Sequence, residues 1–169
     1  MSVAFDSVLT LPATATTPGL LLRPWAEQDI PAMVAAHSDP VMRQWLRHPV
    51  ATADEARHVI RTRHANSEEG TGFSFAVLLA VPGVPGDLVG SVSIRGLTDA
   101  VVSGEVGYWV TAPARGRGIA ARAVDVVSDW AFCLSRRRPL EQLELLHMLP
   151  DFPDDGHLHI RLAGSCAQQ

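Results

Sequence analysis

Arg115, Gly116, Arg117 and Gly118 stand between a β-branched and aromatic run, Glu105–Val110, and an alanine-rich run that opens Ile119-Ala120-Ala121. This junction predicts a strand that breaks at Pro113, a glycine turn, and then the start of a helix. The first turn of a helix carries backbone N–H groups without intrahelical partners, and the helix dipole adds partial positive charge at the same end. The chemistry such a turn performs is recognition of a phosphate or pyrophosphate, reinforced here by the charges of Arg115 and Arg117. Two other anion motifs do not fit. A P-loop needs Gly-Lys-Ser/Thr, which is absent, and the dinucleotide fingerprint needs three glycines and a later ribose-binding acid.

The elements that must hold this turn follow from the rest of the chain. Leu20–Pro24 predicts a first strand, stopped by its proline. Asp29 is a candidate cap for a short helix with Pro31 in its first turn, and Met33, Val34 and His37 fall along one face of it. Asp39-Pro40 ends that helix, and another short one starts over 41–46. Thr52-Ala53-Asp54-Glu55 has the spacing of a capping box. The helix it opens places Ala56, Val59, Ile60 and Arg63 at intervals of three and four, with Gly70 and Gly72 marking its end.

Residues 73–81 and 88–94 read as two strands joined by Pro82-Gly83-Val84-Pro85-Gly86-Asp87. In the second strand Val89, Ser91 and Ser93 alternate with Leu88, Gly90, Val92 and Ile94, which predicts one buried face. Along 120–134, Ala123, Val124, Val127, Trp130, Ala131 and Leu134 recur at helical intervals as a core-facing stripe. Residues 140–147 read as one more strand. The boundaries that follow are a loose arm over 1–19, a single domain over 20–147 and a tail over 148–169.

At 169 residues the chain is one domain's worth, and its 47% hydrophobic and 19% charged composition is ordinary globular chemistry. A formal net charge of −4, with no long basic stripe, gives no reason to expect nucleic-acid binding. The single basic run, Arg136-Arg137-Arg138, falls at a helix C-terminus, where cations suit the dipole. Two cysteines do not make a disulfide scaffold, and Cys133 reads as a core thiol. With neither a signal-peptide pattern at the start nor an apolar run of membrane-spanning length, a soluble cytoplasmic protein is expected. His147, His157 and His159 have no acidic or cysteine partner at a recognised zinc spacing, so no metal is expected. Trp25, Trp45, Phe73 and Phe75 suit an acceptor pocket and core packing equally well.

The spelling Arg115-x-x-Gly118-x-Ala120 resembles motif A of the GNAT superfamily of acetyl-CoA-dependent N-acyltransferases. The preceding Gly-Glu-Val-Gly-Tyr-Trp-Val at 104–110 is similar to the matching strand in the branch that acetylates N-termini of ribosomal proteins. The resemblance covers about residues 20–147. It implies an α/β (α+β) fold with a mixed, mainly antiparallel central sheet flanked by helices, and acetyl-CoA as co-substrate with an amine acceptor. It implies that Arg115, Gly116, Arg117, Gly118, Ile119, Ala120 and Ala121 hold the pyrophosphate. It further implies that main-chain groups near Trp109 and Val110, where two strands splay apart, hold the pantetheine arm and the thioester oxygen. Glu105, on the same strand, is the candidate proton acceptor for the attacking amine. Tyr108 lies on the opposite strand face by alternation and takes no acid role.

Beyond His147 the resemblance ends. The branch continues into an Asn-x-x-Ser segment and a helix, whereas this chain runs Met148-Leu149-Pro150-Asp151-Phe152-Pro153, whose two prolines exclude a helix. The segment that supplies a general acid in the family therefore has no counterpart. An atypical or truncated C-terminus would leave the 140–147 strand short of cover. Two remedies follow: a fold-back of 157–162, or a second chain, and the double-proline tract favours the homodimer. The alternative to an active transferase is a CoA-binding protein with little catalysis.

Overall fold

The leucine, valine and phenylalanine runs pair into one antiparallel sheet because each strand has an apolar partner at its sequence neighbour. In the computed structural model residues 7–83, 86–95 and 105–131 are described in full; the backbone alone is described for 132–136 and for three short strands further on. The strands are β1 (Leu9–Leu11), β2 (Leu20–Pro24), β3 (Gly72–Leu79), β4 (Leu88–Arg95) and β5 (Glu105–Val110). Three helices, α1 (Ile30–His37), α2 (Pro40–Trp45) and α3 (Ala53–Glu69), lie between β2 and β3, and α4 (Ile119–Arg136) follows β5. The short strands are β6 (Leu143–Leu145), β7 (His157–Leu158) and β8 (Leu162–Gly164). The main sheet runs β1-β2-β3-β4-β5-β7, and every described ladder is antiparallel.

Both faces of the sheet are covered. Leu22, Phe75, Val92, Ile94 and Val106 pack with Ile119, Ala123, Val124 and Val127 of α4. On the other face Trp25, Met33, Ala56, Ile60 and Leu78 form a second cluster under α1 and α3. Full burial of one such Leu, Ile or Phe contributes about 1.5–3 kcal/mol, so two covered faces hold β5 and the start of α4 in a fixed relation.

The single buried face predicted for β4 is corrected by a bulge. The register with β3 shifts between Val77 and Leu78, and Val89 is the residue left over. A bulge reverses the alternation beyond it. Val89 therefore joins Val92 and Ile94 on the α4 side, whereas Leu88 packs with the α1–α3 cluster. Ser91, on the second face, is buried as well.

Thr52 and Glu55 form the capping box that their spacing predicts. Thr52 Oγ1 accepts from the Glu55 N–H at 3.2 Å, and Glu55 Oε2 accepts from Ala51 and Thr52 N–H at 2.7 and 3.2 Å. Gly70 closes α3 with a φ of 72°, a left-handed conformation in which a side chain is strained. Asp29 departs from its expected role. Its carboxylate does not cap α1 but is drawn inward, accepting both Arg23 guanidinium nitrogens at 2.7 and 2.8 Å and the Ala26 N–H at 2.8 Å. A buried carboxylate beside a guanidinium gains more from charge-assisted bonds than from one helix N–H.

Within the arm expected over 1–19, three residues form a strand. Leu9 and Leu11 pack against the α4-side core and pair with Leu22 and Leu20 as β1. Arg122 of α4 fastens the β1–β2 connection by donating to the Pro12 and Pro18 carbonyls, each at 2.6 Å. In the C-terminal segment β6 pairs with β8, and β7 pairs with β5 through Val106↔Leu158 and Gly107↔His157. Both ladders lie within the chain, so the uncovered strand that motivated a homodimer has a partner of its own. The side chains of Leu134, Cys133 and the arginine run 136–138 lie outside the described residues, as do the histidine rings at 147, 157 and 159 and the double-proline tract.

Candidate active site

The turn between β5 and α4 is shaped by its main chain. Thr111 donates its N–H to the Val89 carbonyl at 2.9 Å, and Ala112–Ala114 makes one 3-10 turn around Pro113. Gly116 and Gly118 then take φ of 73° and 69°. A Cβ at Gly116 would meet nothing within 4 Å, so backbone conformation rather than crowding calls for glycine there. The first intrahelical bond of α4 runs from the Arg122 N–H to the Gly118 carbonyl at 3.3 Å. The N–H groups of Ile119, Ala120 and Ala121 are thus left without intrahelical acceptors, and all three residues line one cavity.

The two arginines of the turn behave differently. Arg115 donates through Nη2 to Asp39 Oδ2 and through Nε to the Val110 carbonyl at 3.2 Å. Asp39 in turn caps α2 by accepting the Val41 N–H at 3.1 Å. The Arg115 guanidinium holds the Asp39 carboxyl below its ordinary pKa, through its hydrogen bond first of all. Arg115 therefore ties the anion turn to α2. Arg117 is exposed and is not among the described residues lining the cavity.

Among the described residues, one edge of β5 is partly open. β4 covers one side along Glu105–Val110, whereas β7 covers the other side only at Val106 and Gly107. Peptide groups alternate in direction along a strand. Because the Thr111 N–H points at β4, the main-chain groups of Tyr108 and Val110 face the outer edge, and those of Trp109 face β4. The edge and the α4 N-terminus open on the same cavity, of about 1270 Å³, which extends along β3–β4 to α1, α2 and α3. An open strand edge can accept an extended chain as an added strand, and a helix N-terminus can accept an anion.

Residues 19–147 match the family described as acetyltransferase (GNAT) domain, three-quarters of the chain. The chain belongs to the GNAT acetyltransferase family. Solved structures agree on the GNAT fold. RimJ of Mycobacterium smegmatis in complex with CoA-disulfide superposes with a TM-score of 0.66 at 22% identity, over 78% of this chain and 64% of its own. The chain thus spans less than two thirds of the length of that protein. A ribosomal-protein-S5-alanine acetyltransferase from Vibrio fischeri gives 0.61 at 19% identity, over 75% and 69%. A spermidine N-acetyltransferase from Vibrio cholerae, with CoA and spermine, gives 0.57 at 19%, over 69% and 66%. No curated protein matches the chain.

On the GNAT sheet Glu105 sits at the far end of β5 from the turn. Its carboxylate is half-buried and lies 3.8 Å from the Arg95 guanidinium, a cation rather than the apolar company its sequence neighbours suggest. It shares a strand face with Gly107 and Trp109, which line the cavity, although Glu105 is not itself among the described lining residues. Trp109 packs on the α1–α3 side, edge-on to His37 at 5.4 Å and tilted to Trp25 at 6.1 Å. Tyr108 is on the opposite face, against the α4-side core. Of the aromatics weighed for a pocket, Trp45 and Phe73 line the cavity, and Trp25 and Phe75 are core.

The α1–α3 wall of the cavity carries residues to which the sequence assigned no chemistry. Arg63 of α3 lies over the Trp25 ring at 4.9 Å, and burial, with Arg95 nearby, lowers its pKa to about 10. His37 of α1 accepts the Val50 N–H at Nδ1 (3.1 Å), and burial lowers its pKa to about 4. With Nδ1 accepting, the neutral ring carries its proton on Nε2. Arg63 had a signal in the sequence, a charge interrupting the apolar stripe Ala56, Val59, Ile60. Among the described residues no three His, Cys, Asp or Glu side chains gather as a metal site, and no helix is long and apolar enough to cross a membrane.

Proposed function

We propose that the chain is an acetyl-CoA-dependent N-acetyltransferase that moves an acetyl group directly to a primary amine in a ternary complex. The observation that carries this reading is the meeting, on one cavity, of three unpaired N–H groups at the start of α4 and the open edge of β5. The α4 N–H groups of Ile119, Ala120 and Ala121 receive the pyrophosphate, with Gly116 and Gly118 keeping the approach clear. Main-chain groups of Tyr108 and Val110, which flank Trp109 and face the outer edge, receive the pantetheine arm and stabilise the oxygen of the tetrahedral intermediate, whereas those of Trp109 are turned to β4. Arg115, which lines the same cavity, adds its charge to the pyrophosphate site and fixes the turn to α2 and to the Val110 carbonyl.

The acceptor enters from the α1–α3 side. Its ammonium loses a proton to Glu105, directly or through water. The free amine attacks the thioester carbonyl, the C–N bond forms, and as the C–S bond breaks the nitrogen's excess proton passes to the departing thiolate, directly or through water. The thiolate needs little help to leave because a thiol pKa is only about 8.5, which suits a site with no assigned general acid. Pairing of β7 with β5 supports fold-back rather than a homodimer as the cover for the C-terminal strands. Light scattering over a dilution series reads that choice, and a dimer persisting at nanomolar concentration contradicts it. The transferase reading is tested by incubating the chain with acetyl-CoA and an amine panel. Matching amounts of free thiol and acetylated amine are expected. CoA binding without either product would leave a CoA-binding domain instead.

A further inference from the structure

Buried polar atoms without partners gather on one wall of the cavity. Arg63 Nη1, His37 Nε2 and Ser74 Oγ are all buried and unpartnered, and all three residues line the cavity. The indole N–H of Trp25, beneath the Arg63 guanidinium, is a fourth. Proteins leave very few buried polar atoms unpaired, and an unpaired buried cation is among the costliest. No carboxylate answers Arg63 among the described residues, and the charge felt there comes from a second cation, Arg95. Along the described lining Arg47, Arg63, Arg95 and Arg115 face a single acid, Asp125, which belongs to α4 at the other end.

This wall offers donors and positive charge and no matching acceptor. Arg63 Nη1 and the protonated Nε2 of neutral His37 both donate, and the Ser74 hydroxyl can do so. We infer that Arg63, with His37 and Ser74 beside it and Arg95 behind it, holds an oxyanion carried by the acceptor amine, a carboxylate or a phosphate. The inference rests on the transferase reading for the word acceptor but not for the anion site itself. Arg95 lies 3.8 Å from Glu105 and near enough to Arg63 for their charges to repel, so an oxyanion at Arg63 and an amine at Glu105 belong to one short molecule. A polyamine, which has cations at every polar position, is excluded by the same charges.

Two matched pairs of primary amines and one polyamine test this on the CoA-saturated protein: O-phosphoethanolamine against ethanolamine, β-alanine against β-alaninamide, and spermidine. Binding is read by calorimetric titration and acetylation by thiol release with acetyl-CoA. The anionic member of at least one pair should bind about tenfold or more tighter than its neutral partner, the value of one charge-assisted hydrogen bond. Which pair shows it distinguishes phosphate from carboxylate. Spermidine should bind weakest. Arg63→Met should erase the preference by raising KM for the anionic member alone, with kcat nearly unchanged, and Arg63→Lys should restore part of it. Because Arg63 has no carboxylate partner, Arg63→Met should leave the unfolding temperature unchanged or higher.

Neutral and anionic members binding alike to the unmodified protein would overturn the inference, and so would preferred acetylation of spermidine. That comparison decides the matter even if Arg63→Met does not fold. Anion binding without acetylation of any amine would remove the transferase reading and leave the site. Acetylation with no anionic preference would do the reverse.

Discussion

The two ends of the cavity are built from different materials. The proposed donor end is main chain: two glycines at positive φ, three unpaired N–H groups at the start of α4 and, among the described residues, the open edge of β5. The proposed acceptor end is side chain: Arg63 of α3, His37 of α1, Ser74 of β3 and Arg95 of β4, which line the cavity from four elements. A main-chain site asks only for a backbone shape, so many side chains serve as long as the glycines stay. A side-chain site asks for particular residues and can be rewritten one position at a time. The first suits a ligand common to a family, and the second suits an acceptor that differs between members.

Substitutions that respect this division should separate the two ends. The largest effect is expected at Glu105. Glu105→Gln should lower turnover about 10²–10⁴-fold with acetyl-CoA affinity nearly unchanged, the range of a lost general base. Pre-steady-state thiol release checks it, and unchanged turnover would remove Glu105 from the chemistry. Next comes Gly118→Val, which forces a β-branched residue into a left-handed conformation beside Thr17. Affinity for acetyl-CoA should fall about a hundredfold, the effect of losing the turn and its charge-assisted bonds. S-acetylpantetheine, which has no pyrophosphate, should lose far less, and equal losses would show that the turn is structural only.

These two positions also show what the sequence could and could not reveal. The glycine turn is contiguous, and its backbone shape is local, so spacing alone predicts that shape. The capping box of α3 and the apolar stripe of α4 are legible for the same reason. The acceptor wall is not. His37 reads as one apolar-face residue, and Arg63 as a helix position, until β3 and β4 bring Ser74 and Arg95 beside them. Arg115 reads from its neighbours as a phosphate ligand, and the sequence does not show its pairing with Asp39, 76 positions away. The bulge at Val89 reverses an alternation that the sequence states plainly, because register is set by the partner strand.

Arg115→Ala should sharpen the boundary between the ends. The loss of its bonds to Asp39 and Val110 frees α2 as well as the turn, so both KM for acetyl-CoA and KM for the acceptor should rise, each by about tenfold. A rise for acetyl-CoA alone would return Arg115 to the role of a simple phosphate ligand. Asp39→Asn should reproduce the acceptor part of the effect.

The smallest expected effect is thermodynamic. His37 has its folded pKa lowered from 6.5 to about 4 by burial, so between those values the unfolded chain binds more protons than the folded one. Stability should therefore fall as pH is lowered from about 6.5 towards 4. Denaturant titrations across that window should show a shallower pH slope in His37→Asn than in the unmodified protein. An unchanged slope would mean that His37 is not the buried neutral donor described above.

The claim that the donor end is main chain can be read directly from backbone amide signals during a titration with CoA, compared with pantetheine and with inorganic pyrophosphate. CoA should shift the N–H resonances of Ile119, Ala120 and Ala121 together with those of Tyr108 and Val110. Pyrophosphate should move the first group alone, and pantetheine the second. Shifts confined to the guanidinium signals of Arg115 and Arg117, with the α4 amides unmoved, would contradict the account.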